Sequence, residues 1–245
     1  MNLRHTLVCA ARVLRQIKSD RRTIGMMLAV PALLMTLMYF IFESSPEVFN
    51  RVGLIMLGVF PFVLMFLVTS VTMLRERTGG TLERLMTTPC GKFDLIAGYA
   101  IAFGLAAAAQ SSIAAAVAYW FLGLETVGSV GLVVLIAVVT ALLGMALGLL
   151  VSAFARSEFQ AVQFMPVVVV PQLLLCGLIW PREEMAGWLQ AVSDLLPLTY
   201  AIEALGEVQV NAEATGTLWF SLGIVGGAAI VAVIAGALTL RRRTA

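Results

Sequence analysis

The residues of this sequence that could do chemistry are few and scattered. His5 is the only histidine, and with Cys9, Cys90 and Cys176 it forms no zinc-binding spacing. A Ser-His-Asp or Cys-His nucleophile set cannot be assembled from one histidine in an N-terminal arm. A phosphate-binding loop needs G-x-x-x-x-G-K-[ST], so that amides, a lysine and a hydroxyl surround the phosphates. The one Gly-Lys pair, Gly91-Lys92, is followed by Phe93, and Met86 stands where the first glycine belongs. The chain is expected to bind no ATP in that manner, to hold no metal and to catalyse nothing alone.

One stretch is dense in charge and turn residues: Arg75-Glu76-Arg77-Thr78-Gly79-Gly80-Thr81-Leu82-Glu83-Arg84-Leu85-Met86-Thr87-Thr88-Pro89. The glycine pair should break a helix emerging from the apolar run before it. Leu82, Leu85 and Met86 then stand at i, i+3 and i+4, a short helix with a small apolar face that Pro89 ends. Glu83 and Arg84 project from its sides. Such a helix can dock in a groove of a soluble partner or transmit a push to the runs on either side. A solvated connecting turn is the plain alternative.

The elements that must position this stretch follow from composition. Of 245 residues, 60% are apolar and only 12% charged, against roughly half and a quarter in a soluble domain. So little polarity cannot clothe a water-facing surface. A net charge of +2 gives no reason to expect nucleic acid. Runs free of Asp, Glu, Lys and Arg occupy Thr23–Phe42, Val52–Leu74, Leu95–Leu124, Thr126–Ala155, Phe159–Pro181 and Ala214–Leu240. A spanning helix needs about 20 apolar residues, so each run is long enough to cross. The expected fold is all-α and polytopic, with six spans at about 23–42, 52–74, 95–122, 130–155, 159–181 and 217–240. Residues 1–22 precede this membrane domain, and a tail at 241–245 follows it.

Fourteen of the sixteen basic residues fall on the side of the termini and of the loop at 75–92; Arg51 and Arg182 are the exceptions. Positive charge accumulates in the cytoplasm, which predicts both termini inside the cell. A cleavable signal peptide does not fit, since the charged arm is long, the first run is a full span and no Ala-x-Ala site follows.

Leu3, Leu7, Ala10, Leu14 and Ile17 share one helical face, beside an arc of Arg4, Arg12, Arg15 and Lys18. This predicts a basic amphipathic helix in the cytoplasmic headgroup layer, a membrane anchor or one that also touches a cytoplasmic partner. On the outer side, Met185, Trp188, Leu189 and Val192 repeat at helical spacing. Pro197 interrupts, and Thr199–Val208 follows. These read as a re-entrant or interfacial helical pair, with a simple anchored loop as the alternative, and Trp180, Trp188, Tyr200 and Trp219 flank it where an aromatic belt is expected. Gly144/Gly148 and Gly223/Gly227 are GxxxG pairs, suited to close helix packing within the chain or between chains. The spans carry no ionisable group that could couple an ion. Gln110, Ser111, Ser112, Thr140, Gln163 and Gln172 read as interhelical hydrogen-bonding groups, with substrate ligation the less economical reading.

The segment Glu76-Arg77, Gly80–Leu85 and Pro89 resembles the cytoplasmic loop of ABC-2 type permeases. Ser152–Glu158 with Gln163 and Pro166, ending near Gly177 and Pro181, is similar to their membrane signature. Leu196–Tyr200 with Glu203-Ala204 is similar to the segment before their last span. The three stand in the family's order, nearest to bacterial drug and lipid exporters. The apolar spans suggest an amphiphilic, drug- or lipid-like cargo, and this resemblance implies a six-span exporter subunit in the cell membrane, with efflux and antibiotic resistance as its setting. It implies pairing with itself or a sister permease and with separate ATP-binding subunits that hold ATP and magnesium. Arg75, Glu76, Arg77, Gly80, Thr81, Leu82, Glu83, Arg84, Leu85 and Met86 would then form the coupling helix on the ATPase. Substrate contacts would lie on the second and fifth spans, with Phe62, Phe66, Gln163 and Gln172 as candidates. The contrasting readings are a membrane scaffold that recruits a cytoplasmic partner through residues 75–92 without transport, and an intramembrane enzyme.

Overall fold

The computed structural model describes residues 3–81, 84 and 91–239, which hold helices and no strand. In chain order these are α1 (Leu3–Ser19), α2 (Arg21–Ile41), α3 (Pro46–Thr78), α4 (Lys92–Ala116) with a π-helical extension Val117–Phe121, and α5 (Val130–Val151). There follow α6 (Glu158–Val168), α7 (Val170–Leu175), α8 (Gly187–Leu195), α9 (Pro197–Val210) and α10 (Gly216–Leu238). Six helical stretches, at Ile24–Ile41, Pro46–Thr78, Asp94–Phe121, Val130–Val151, Glu158–Leu175 and Gly216–Leu238, are long and apolar enough to cross a membrane. The expected all-α fold with an N-terminal amphipathic helix and a helical pair before the last span is what the chain adopts. Leu82, Glu83, Leu85, Met86 and the tail at 241–245 lie outside the described residues.

Local signals set the helix ends. Pro46 opens α3, where a fixed φ suits the first turn. Ser129, Ser157 and Thr215 cap α5, α6 and α10, each side-chain oxygen accepting an amide of the first turn. The second span is longer than its charge-free run. At 33 residues, α3 measures about 50 Å by the rise of an α-helix, against a hydrocarbon layer of about 30 Å. Glu47 and Arg51 extend it at one end and Arg75, Glu76 and Arg77 at the other, because arginine and glutamate propagate a helix as well as leucine does. The fifth span is broken at Val169, where Pro171 has no amide to donate and clashes with the preceding turn.

Two apolar layers hold the bundle. The larger joins α3, α5, α9 and α10 around Phe62, Phe66, Leu143, Leu205 and Val225. Its closest seam is α5 on α3, where a Cβ at Gly144 or Gly148 would overlap the carbonyl oxygens of Phe62 and Phe66. One GxxxG is thus a packing seam within the chain, whereas Gly223 and Gly227 of α10 face open space. The smaller layer joins α1, α4 and α5 around Val13, Tyr99, Phe103 and Met145.

α1 packs on the bundle through a face that shares only Ala10 with the predicted apolar stripe. Thr6, Cys9, Ala10 and Val13 are buried, while Leu3, Leu7 and Val8 are exposed. Small residues win this face because α1 sits directly on α4 at Gly98, where a Cβ would overlap that of Cys9. At the opposite end of the bundle α8 and α9 are tied to α7. The Ser193 hydroxyl donates to the Leu175 carbonyl at 2.8 Å, and Thr199 donates to the Ser193 carbonyl at 2.9 Å.

Candidate functional site at the end of α3

The last turns of α3 carry three charged residues in a row, and a helix sends consecutive side chains about 100° apart, so each reaches a different neighbour. Arg75 grips Glu158 at the start of α6 with two parallel bonds, Nε to Oε1 at 2.7 Å and Nη2 to Oε2 at 2.8 Å. Glu76 turns inward toward α1 and α4. Arg77 reaches past the end of α10 to the Thr239 hydroxyl at 3.4 Å, and its Nε is buried without a hydrogen bond. Three successive residues therefore fasten one helix end to four others.

Glu76 is the unusual member, a carboxylate only 3% exposed. Burying such a charge is costly unless it is paired and hydrogen-bonded. Arg12 of α1 supplies the pair, its Nη2 donating to Oε1 at 3.0 Å and Oε2 at 3.1 Å. The Tyr99 hydroxyl of α4 donates to Oε2 and accepts from Arg12 Nη2 at 2.8 Å. The guanidinium also lies 5.9 Å from the centroid of the Tyr99 ring, within cation–π range. Burial works against the Arg12 charge, but Tyr99 and Glu76 outweigh it and hold the guanidinium above its ordinary pKa. The three groups close a ring of contacts among three elements.

Beyond this ring the chain breaks where the sequence predicts. Gly79 ends α3, its amide bonding the Arg75 carbonyl at 2.8 Å. Gly80 follows at φ +69°, a left-handed conformation that glycine adopts without a steric penalty. Thr81 and Arg84 are helical and exposed, and the Arg84 amide bonds the Gly80 carbonyl at 3.1 Å. Arg75, Glu76 and Arg77 thus belong to α3 itself, with Gly80, Thr81 and Arg84 past its end.

Sequence reasoning singles out the three α3 residues; it sets Arg12 and Glu158 elsewhere, on the arc of the N-terminal helix and in the membrane signature, and leaves Tyr99 and Thr239 unremarked. Arg12 stood on the polar arc of α1, indistinguishable from Arg15 or Lys18. Tyr99 was the one signal available: a tyrosine hydroxyl within a charge-free run needs a partner.

Within the spans, Phe62 and Phe66 are fully buried at 0% exposure against the glycines of α5. A lateral cleft of about 320 Å³ lies instead against the other face of α3, lined by Phe60 and Val63 with Pro31 and Leu34 of α2, Met165 of α6 and Leu173 of α7. Gln163 is exposed on α6. Gln172 is buried and bonds back to the Val168 carbonyl at 3.0 Å, as Thr140 does to Ile136 at 2.7 Å. Thr140 thus serves its own helix and Gln172 joins the two halves of the fifth span, neither bridging between spans, and the buried polar atoms of Gln110 and Ser111 have no hydrogen bond among the described residues. No three His, Cys, Asp or Glu side chains converge to hold a metal among the described residues.

A bundle of six apolar spans, with an amphipathic helix latched to the end of its longest span, defines a multi-pass membrane protein. The chain belongs to the ABC-2 type transporter family, which matches it over residues 4–210. It is similar to the probable multidrug ABC transporter permease YbhR of Escherichia coli, 28% identical over 156 residues that make up 64% of this chain and 42% of that protein. The linearmycin resistance permease protein LnrN of Bacillus subtilis is 25% identical over 170 residues, 69% of this chain and 44% of that protein. ABC transporter G family member 20 of Dictyostelium discoideum is 28% identical over 144 residues, 59% of this chain and 20% of that protein. The match therefore spans less than half the length of each of these relatives.

Proposed function

We propose that this chain is the membrane-spanning subunit of an ATP-binding-cassette exporter in the cell membrane. Both termini face the cytoplasm. It pairs with a second permease chain, identical or sister, and with separate ATP-binding subunits that hold ATP and magnesium and perform the hydrolysis. Its cargo is an amphiphilic drug- or lipid-like molecule.

The observation that carries this reading is the three-way fastening at the end of α3. A force applied at residues 78–86 reaches α1 and α4 through Glu76, α6 through Arg75 and the end of α10 through Arg77. That is the mechanical arrangement a motor in another polypeptide requires: one grip that moves several spans together. The bias of basic residues supports the orientation. The apolar cleft beside α3 suits a cargo that asks for few hydrogen bonds, and relatives named for multidrug and linearmycin resistance point the same way.

Affinity purification of the chain from its own cells tests the reading. A Walker-motif ATPase should come with it, and the chain should change that ATPase's hydrolysis rate. Glu83→Lys or Leu82→Asp should uncouple hydrolysis from efflux while leaving the chain inserted. Normal efflux by both variants, or a tag at residue 83 labelled from outside intact cells, would overturn the scheme.

A further inference from the structure

At the end of the bundle remote from α1, a second cavity of about 350 Å³ opens between the first turns of α3, the 176–183 segment and α9. Pockets that hold small ligands occupy about 300–1,000 Å³. Unlike the lateral cleft, this one is charged. Arg51 and Arg182 line it together with Glu183, Glu203 and Glu207, while Ile55 and Ile202 form apolar wall.

The charges do not satisfy one another. Arg182 pairs outward with Asp194, and its Nε is buried without a partner. Arg51 has no ion pair among the described residues, and none of the three glutamates pairs with an arginine there. Two of the carboxylates are fixed through a single oxygen. Ser221 donates to Glu203 Oε2 at 3.2 Å; Thr215 and Asn211 donate to Glu207 Oε2 at 2.6 and 3.1 Å. Opposite charges thus face one small cavity, held in place from behind and left unbridged across it. Arg51, Glu183 and Glu203 are exposed, so across water they attract one another only weakly; a ligand carrying both signs displaces that water and pairs with both sides at once.

We infer that this cavity binds the headgroup of a zwitterionic amphiphile, an ammonium on the glutamate side and a phosphate at Arg51, with the hydrocarbon against Ile55 and Ile202. The excess of carboxylate makes the ammonium the discriminating group, which selects an aminophospholipid over an anionic lipid of the same tails. The inference rests on the exporter reading only in naming this headgroup as the cargo's polar end; the binding itself needs no ATPase.

The purified chain without ATPase is placed in dodecyl maltoside micelles with equimolar phosphatidylethanolamine and phosphatidylglycerol, and retained lipid is counted by native mass spectrometry. Phosphatidylethanolamine should be retained at least tenfold over phosphatidylglycerol. Arg51→Gln and Glu203→Gln should each abolish that preference, and Arg51→Lys should restore part of it. Glu183→Gln, in a short surface turn, provides a variant expected to fold regardless. Soluble glycerophosphoethanolamine separates the sources. Competition by it at micromolar concentration identifies a free headgroup compound as the ligand, and competition only at millimolar concentration identifies the membrane lipid. Equal retention of both lipids, or a preference unchanged in all three neutralising variants, overturns the inference. Failure to capture an ATPase would sink the exporter reading and leave this result standing.

Discussion

Arg12 of α1 holds both carboxylate oxygens of Glu76 in α3, at 3.0 and 3.1 Å, across 64 positions of sequence. The contact ties a helix outside the spans to the end of the longest span. Removing one partner of a fully buried ion pair costs about 3–5 kcal/mol; loss of Glu76 leaves an Arg12 side chain that is 30% exposed, so the cost is smaller than that. Glu76→Ala should therefore lower the thermal midpoint of the purified chain and speed hydrogen exchange in α1. The paired variant Arg12→Met with Glu76→Leu removes both charges and should recover most of that stability, since apolar replacements of a buried pair are often neutral. If the latch has a mechanical role, the paired variant will be stable and still defective in efflux. A stable variant with full efflux would reduce the contact to packing.

Tyr99 is the third member, and its hydroxyl both donates to Glu76 and accepts from Arg12. Tyr99→Phe keeps the ring against Phe103, 6.0 Å between centroids, and deletes only the hydroxyl. A buried group that loses one partner costs about 1–3 kcal/mol. The midpoint should fall by less than in Glu76→Ala, and the combination with Arg12→Met/Glu76→Leu should add little, a coupling that a double-mutant cycle measures directly. Additive losses would mean that the hydroxyl acts elsewhere.

The exposed pair makes the contrast. Arg75 and Glu158 have the better geometry, two short parallel bonds, yet their side chains are 62% and 51% exposed. Screening by water leaves such pairs little net value. Arg75→Ala should leave the thermal midpoint unchanged within error. A clear drop in stability would show that α6 depends on this bridge.

The glycine pairs separate packing from open surface. A side chain at Gly144 or Gly148 would overlap the α3 backbone, which cannot move aside as a flexible side chain could, whereas nothing lies within 4 Å of a Cβ at Gly223 or Gly227. Overpacking a tight core costs about 1–3 kcal/mol or more. Gly144→Leu should impair insertion or lower the midpoint sharply, and Gly223→Leu should leave the isolated chain's midpoint unchanged. Equal effects at the two sites would contradict the assignment of α5 on α3 as the closest seam.

This seam also shows why some of the fold was legible and some was not. The apolar runs gave the spans because a bilayer reads only hydropathy along the chain, a one-dimensional property. Helix ends are set partly by charged residues, so the run at 52–74 falls short of α3 at both ends. The face by which α1 meets the bundle is hidden from the sequence for a related reason. Periodicity marks which residues share a face, while Gly98 on a distant helix decides that Cys9 and Ala10, not Leu3 and Leu7, lie against it. Glu76 stands in a charge-dense motif that the sequence marks, but its partners at positions 12 and 99 follow from three-dimensional closure alone. Phe62 and Phe66 are candidates for substrate contact through the family resemblance, which points to the second span. They pack on α5, and the cleft lies on the other face with Phe60 and Val63.

That last difference yields a test of the cargo path. Val63 lines the cleft of about 320 Å³ beside Phe60, Pro31 and Leu34. Val63→Trp adds bulk toward that space and should occupy part of it without disturbing the α5 seam on the other side of α3. In the assembled transporter, basal ATP hydrolysis should persist and its stimulation by an amphiphilic drug should be lost, with the thermal midpoint little changed. Phe62→Ala should do the opposite. It opens a void in the core and costs about 3–5 kcal/mol of stability, yet the cleft remains, so any surviving protein should retain stimulation. If Val63→Trp keeps full stimulation while Phe62→Ala abolishes it at equal protein level, the cargo moves along the α5 side of α3 and the lateral cleft is not its route.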